Sequence, residues 1–199
     1  MTLAPLYGLV LAGGESRRMG RDKAGLEFHG RPQIDWAVEL LKRHCERVFV
    51  SVRADQATDP LRGRHPTIVD THAGIGPIAG IAAAQATHPA AAWLVVACDL
   101  PRLDDGVLRR LIAARGNHPV TAYRSSYDGL PEPLCAIYEP ATHAEVLAVI
   151  ASGRNCPRKF IIQSGVPLLE QPDPAALDNI NTPEELVRAG GQLPPPTAH

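Results

Sequence analysis

The 199-residue chain holds no apolar run near the roughly 20 residues of a membrane-spanning helix, so no membrane partner is expected. Its opening stretch, MTLAPLYGLVLAGG, lacks a basic segment ahead of the apolar one, and a secretory leader is not expected either. No charge of one sign dominates. Twenty basic against 21 acidic residues leave a net charge of −1, which argues against a general nucleic-acid surface. The four cysteines, Cys45, Cys98, Cys135 and Cys156, include no C-x-x-C pair, so neither a zinc knuckle nor a redox pair is indicated. Cys98 and Cys135 sit in apolar runs and read as small core residues. A reduced, cytoplasmic protein is the simplest expectation. The eight histidines show no H-E-x-x-H spacing and read as surface or core residues. Internal repeats and a linker of domain-boundary length are also missing. One domain is therefore expected over residues 1–193, with 194–199 (PPPTAH) as a frayed tail.

Familiar phosphate and nucleophile motifs are missing as well. A P-loop needs G-x-x-x-x-G-K-[ST], but five residues separate Gly14 from Gly20, and Arg21 follows. A nucleophile elbow needs G-x-S-x-G, and Gly14-Glu15-Ser16-Arg17-Arg18 has no second glycine. Gly74-x-Gly76 is followed by Gly80 after three residues instead of two, so the dinucleotide fingerprint is missed too. That segment, THAGIGPIAG, reads as a loop folding over a ligand, with Pro77 opening a helix whose N-terminus suits an anion or a purine edge. A plain strand-to-helix turn is the competing reading.

What is present is a globular composition, 45% hydrophobic and 21% charged, on a chain long enough to bury about 70% of its unfolded surface. Strands and helices alternate. Residues 7–12 read as a buried strand ending at Gly13-Gly14, 32–45 as a helix, 48–52 as a strand and 53–65 as a loop. A short strand at 67–69 ends at Asp70. A small-residue helix follows over 77–87, a strand over 91–98 ending at Asp99, a helix over 103–115 and a strand over 119–123. These apolar runs do not alternate with polar residues, as befits parallel strands buried on both faces. Residues 131–138 (PEPLCAIY) begin with prolines and predict an edge strand or an inserted antiparallel element. A helix over 141–150, short strands over 166–169 and 178–180, and a last helix over 183–189 complete the pattern.

Ligands of such sheets sit beyond the carboxyl ends of the parallel strands, which selects Gly13-Gly14, Arg53, Asp70 and Asp99. Two adjacent glycines let the backbone turn sharply and let a ligand approach its N–H groups. Arg17, Arg18, Arg21 and Lys23 follow, so the first site reads as a phosphate cradle of amides and fixed cations. A solvated basic loop is the plainer alternative. Asp99 stands where a buried strand emerges. Pro101 keeps Leu100 out of a helix, leaving the chain extended beside the acid. A carboxylate there can hold Mg²⁺ together with substrate phosphates. Capping of the next helix is the rival role, but Asp104 and Asp105 are better placed for it.

The stretch from Leu11 to Lys23 resembles the signature L-A-G-G-x-S-x-R-M-G-x-D-K of nucleotidyltransferases that activate small phosphorylated compounds, with every specified position met. Asp70 with GIGPIAGI, CDLP at 98–101, EPLCAIY at 132–138 and NINTPEEL at 179–186 are similar, in order, to blocks of the molybdenum cofactor guanylyltransferases. That resemblance implies an α/β Rossmann-like three-layer sandwich with a mostly parallel sheet and a small antiparallel element in the C-terminal half. It implies transfer of GMP from GTP to the phosphate of molybdopterin, with release of pyrophosphate. It further implies nucleotide binding by Leu11, Ala12, Gly13, Gly14, Lys23, Arg53, Asp70 and Asp99, with Mg²⁺ on Asp99. GTP and a molybdopterin-type acceptor would be the partners, with transient contacts to other cofactor-biosynthesis or molybdoenzyme-maturation proteins. Position 53 departs from the family pattern: some members have Asn, which donates and accepts, whereas Arg53 only donates. Ala12-Gly13-Gly14 tilts the base toward guanine, because cytidylyltransferase relatives tend to have A-A-G there.

Transfer of this kind is in-line attack by an already ionised phosphate oxygen, so positioning and charge neutralisation do the work. Arg17, Lys23 and Asp99 are the catalytic candidates. Arg154, Arg158 and Lys159 form a second cationic cluster, read equally as a receiver of the acceptor phosphate or as a solvated face. A cytidylyltransferase, a sugar-1-phosphate nucleotidyltransferase and a non-catalytic nucleotide carrier are the alternatives. The carrier would have no use for Asp99 at the strand end.

Overall fold

The computed structural model describes residues 3–13, 23–28, 30–180, 185 and 187. Strand β1 (Leu6–Leu11) sends Leu6 and Val10 into one core and Leu9 into another, the two-residue period of a pleated strand buried on both faces. A two-rung antiparallel ladder, β2 (Glu27–Phe28) with β3 (Arg31–Pro32), leads into α1 (Gln33–Lys42). There follow β4 (Arg47–Val52), β5 (Thr67–Val69), α2 (Pro77–Thr87), β6 (Ala92–Ala97), α3 (Asp105–Ala113) and β7 (Val120–Arg124). Then come β8 (Pro131–Tyr138), α4 (His143–Ala151) and α5 (Pro157–Ser164).

The main sheet has the order β5-β4-β1-β6-β8-β7. Strands β5, β4, β1 and β6 are mutually parallel, while β8 runs antiparallel to both of its neighbours. Helices α1 and α3 pack on one face, where Ile34, Val38 and Leu41 meet Val10, Val50 and Leu94. Helices α2, α4 and α5 cover the other, where Ile78, Val146 and Phe160 join Leu9, Trp93 and Val95. This is the expected three-layer sandwich, with its antiparallel element in the C-terminal half.

Helix α2 lies tight on the sheet because it is built of small residues and carries Gly80. A Cβ at that position would fall 2.3 Å from Ser51 Oγ and 2.9 Å from Leu11 Cδ2. The helix starts at Pro77 directly after Gly76, whose φ of 77° suits glycine.

Of the two readings of 131–138 the inserted antiparallel element holds, with β8 lying between β6 and β7. Its prolines are tolerated because Pro131 and Pro133 precede Cys135, where pairing with β6 stops, so no N–H is owed to that ladder. The strand expected over 166–169 reduces to one bridge between Leu169 and Tyr123. The one over 178–180 is irregular chain that donates the Ile180 N–H to the Asp99 carbonyl at 3.1 Å. Helix α5 was not expected: Pro157 opens it, Phe160 and Ile161 are buried, and Gly165 ends it at φ 64°. The tail at 194–199 lies outside the described residues, as does the helix at 183–189 apart from the helical Glu185 and Val187.

Candidate functional site

The carboxyl ends of β1, β4 and β5 are tied to one another just where the chain leaves the sheet. The Ala12 N–H donates to the Ser51 carbonyl at 3.2 Å, and the Asp70 N–H donates to the Val52 carbonyl at 2.8 Å. Arg53 follows β4 and reaches across to β1, donating from Nη1 to the Gly13 carbonyl at 3.0 Å. Its Nε and Nη2 hold Asp55 at 2.9 and 2.7 Å. A Cβ on Gly13 would lie 3.4 Å from Arg53 Cγ and 3.5 Å from Asp70 Oδ2, so the turn, the cation and the acid line one small space. Leu11, Ala12, Gly13, Arg53 and Asp70 are thus brought together at one end of the sheet. Arg53 meets a carbonyl, a contact that needs only a donor.

Asp70 is half-buried, and Ser51 Oγ donates to its Oδ1 at 2.7 Å. Burial pushes its carboxyl above the ordinary aspartate range, against the opposing pull of the Ser51 hydroxyl and the Arg53 charge.

Sequence reasoning missed Arg62. It follows Leu61 in a polar loop, yet it is only 1% exposed. Its Nε and Nη2 both donate to the Ala12 carbonyl, at 3.0 and 2.8 Å, and its Nη1 lies 3.4 Å from Asp59 Oδ2. No local pattern marks a buried arginine in such a loop. The spacing D-x-x-R, Asp59 to Arg62, is the only trace it leaves.

Asp99 stands one strand further along, after β6, where the Cys98 N–H donates to the Leu11 carbonyl at 3.2 Å. The helix after it is capped by Asp104, whose side chain accepts the Val107 N–H at 2.9 Å, so Asp99 is not needed as a cap. The chain beyond it does not stay extended. Leu103 N–H closes a turn onto the Leu100 carbonyl at 3.3 Å, and Gln33 Nε2 donates to the same oxygen at 3.2 Å. Asp99 opens onto a cleft of about 930 Å³, also lined by Arg102, Ser125, Glu132, Arg158 and Asn179.

The second cationic cluster separates. Arg158 faces this cleft, donating to Asp128 Oδ2 at 2.7 Å with Glu132 at 3.7 Å. Arg154 and Lys159 are exposed. Gly14, Arg17 and the Lys23 side chain lie outside the described residues.

Among the described residues, no three His, Cys, Asp or Glu side chains cluster as a self-sufficient metal site. A hard divalent ion shared with substrate phosphates needs only one or two carboxylates, and Asp99 at the cleft mouth suits that donor set. The four cysteines form no disulfide, and burial pushes the thiols of Cys45 and Cys135 up to about 12, far from reactive. No helix among the described residues is long and apolar enough to cross a membrane.

A mostly parallel open sheet with a glycine turn, a cation and an acid at adjoining strand ends defines an α/β protein with its site at the carboxyl edge of the sheet. More narrowly, the chain belongs to the MobA-like NTP transferase domain family, whose model matches residues 8–171, and it is a nucleotidyltransferase. It is 33% identical over 193 residues to a molybdenum cofactor guanylyltransferase of Cereibacter sphaeroides, covering 94% of this chain and 97% of that one. It is 37% identical over 182 residues to a molybdenum cofactor biosynthesis bifunctional protein of Synechocystis sp.. That match covers 91% of this chain but 52% of the relative, so the chain spans about half of the bifunctional protein. The solved structure of molybdopterin-guanine dinucleotide biosynthesis protein A from Archaeoglobus fulgidus is similar at a TM-score of 0.73 and 26% identity. It covers 92% of this chain and 96% of its own.

Proposed function

We propose that the chain transfers GMP from GTP to the phosphate of a molybdopterin-type acceptor and releases pyrophosphate. The observation that carries this reading is the pairing of two spaces across β1 and β6. Gly13, Arg53 and Asp70 line one, and Asp99 opens onto the other. A nucleotide in the first and a phosphorylated acceptor in the second would meet beside Asp99.

In this mechanism an acceptor phosphate oxygen, already ionised at neutral pH, forms a bond to the α-phosphorus. The bond from that phosphorus to the oxygen bridging to the β-phosphate breaks, and its electron pair leaves with pyrophosphate. No side-chain nucleophile is required, so the chain's contribution is alignment and charge. Leu11, Ala12, Gly13 and Gly14 hold the base and phosphates against the backbone, Arg53 steadies the turn, and Asp70 contacts the nucleoside. Arg17 and Lys23 neutralise the α-phosphate and the departing pyrophosphate. Asp99 would hold Mg²⁺, which when bound supplies charge neutralisation at phosphate oxygens. Four cysteines without a disulfide fit a reducing cytoplasm.

The test is pyrophosphate release with molybdopterin and, in turn, GTP, CTP and ATP. Release greatest with GTP is expected. A preference for CTP moves the chain to cytidylyl transfer, and turnover with a sugar 1-phosphate in place of molybdopterin overturns the acceptor.

A further inference from the structure

A guanidinium that is 1% exposed has given up its water, and Asp59 Oδ2 lies 3.4 Å from its Nη1. A buried charge is costly unless its donors are well used. Two of them, Nε and Nη2, converge on a single atom, the Ala12 carbonyl oxygen, at 3.0 and 2.8 Å. A carbonyl oxygen has two lone pairs, and this fork occupies both.

We propose that Arg62 is a positioning residue that sets the base selectivity of the nucleotide site by aiming the Gly13 amide. A trans peptide is planar, with its C=O and the following N–H pointing in opposite directions. Fixing the Ala12 oxygen on Arg62 therefore fixes the Gly13 N–H away from the loop. Among the described residues that N–H meets no acceptor. The next carbonyl, that of Gly13, is held by Arg53 at 3.0 Å, so two arginines of the same β4–β5 connection grip consecutive carbonyls of the β1 turn. Arg62 is itself held in place: Asp59 Oδ1 accepts the N–H groups of Leu61 and Arg62 at 3.0 and 2.8 Å. The Gly63 N–H donates to the Asp59 carbonyl at 2.9 Å.

This inference rests on the reading that the Ala12–Gly13 turn meets the nucleobase, and there the aimed N–H is the donor for a base acceptor such as guanine O6. A site that reads a base edge discriminates through how well its own polar groups are matched. A side chain covered by protein thus decides which base is accepted.

The variant to make is Arg62→Lys, which keeps the charge but cannot fork onto one oxygen. Calorimetric titration with GTP, ATP, CTP and inorganic triphosphate is read beside the melting temperature. The expected result is roughly tenfold weaker GTP binding, the worth of one misplaced hydrogen bond. The GTP preference over ATP should shrink by a similar factor, while inorganic triphosphate binds as to wild type. Equal weakening of all four ligands, or an unchanged preference, would overturn the proposal. If Arg62→Lys melts below the assay temperature, Asp59→Ala, which frees the turn carrying Arg62, is read by the same ratio with the same two overturning outcomes. A wild-type preference for CTP would sink the guanine reading alone, and Arg62 would then be judged on discrimination for cytosine.

Discussion

Asp99 and Asp104 are five residues apart, and the proposed function gives them separable tasks. Asp104 caps α3 through the Val107 N–H at 2.9 Å. Asp104→Ala should cost about 0.5–2 kcal/mol of stability and leave turnover per folded molecule unchanged. Asp99→Asn should do the reverse: turnover falls on the order of 10²–10³, because a neutral amide is a poor ligand for a hard cation, and the melting temperature hardly moves. Turnover against Mg²⁺ concentration together with thermal melts checks both, and wild-type activity in Asp99→Asn would remove Asp99 from the chemistry. At Asp70, burial raises the carboxyl's folded pKa above its unfolded value. Its contribution to stability is therefore fully present below the unfolded value and is lost as pH rises through the folded one, so at pH 7 the ionised group opposes folding. Asp70→Asn should melt at or above wild type at pH 7, with the difference closing toward pH 4, while nucleotide affinity drops. Melts across that range test it, and a variant less stable at pH 7 refutes it. Asp70 and Asp99 were legible because each ends an apolar run. Arg62 was not, since the carbonyl that requires it lies 50 residues away in the chain.

Helix α2 shows how an element can fix a side chain it does not carry. Gly80 admits Ser51 Oγ so closely that a Cβ would stand 2.3 Å from it, and that hydroxyl is the donor to Asp70. Gly80→Ala should lower stability by about 1–3 kcal/mol through overpacking, with nucleotide affinity falling as Ser51 is displaced. Adding Ser51→Ala should return part of the stability and none of the affinity. Denaturant melts with nucleotide titration decide it, and recovery of both would cut the link between the helix and the acid. Helix α2 and strand β8 were legible to the residue, because Pro77 and the 131–133 prolines fix their starts. Helix α5 leaves little trace in the sequence because its buried face rests on only three residues, Pro157, Phe160 and Ile161, interleaved with the charges of Arg158 and Lys159. The short strands expected near 166–169 and 178–180 failed for another reason. Their apolar residues serve the rim of the cleft and the β7 edge, where one bridge or one hydrogen bond to Asp99 suffices.

For the molecule as a whole, a ligand that binds only the folded state stabilises it by mass action. GTP with Mg²⁺ at a hundred times its Kd should add about 2.7 kcal/mol and raise the melting temperature by roughly 5–10 °C. CTP at the same concentration should raise it less, and scanning calorimetry reads both. The sheet's polarity has a further consequence. Because β8 runs against β6, the edge at which β6 delivers Asp99 is also the edge at which β8 begins, beside Glu132. The first half of the sheet is threaded by crossovers, and shifting its turn would mean rerouting the chain. The far wall of the cleft hangs from a hairpin closed by the Ser125 N–H on the Leu130 carbonyl at 2.7 Å. Its tip can be lengthened, shortened or recoloured without disturbing any crossover. The architecture thereby divides itself into a heritable chassis and an editable margin, and a new occupant of the cleft is within reach of a few codons.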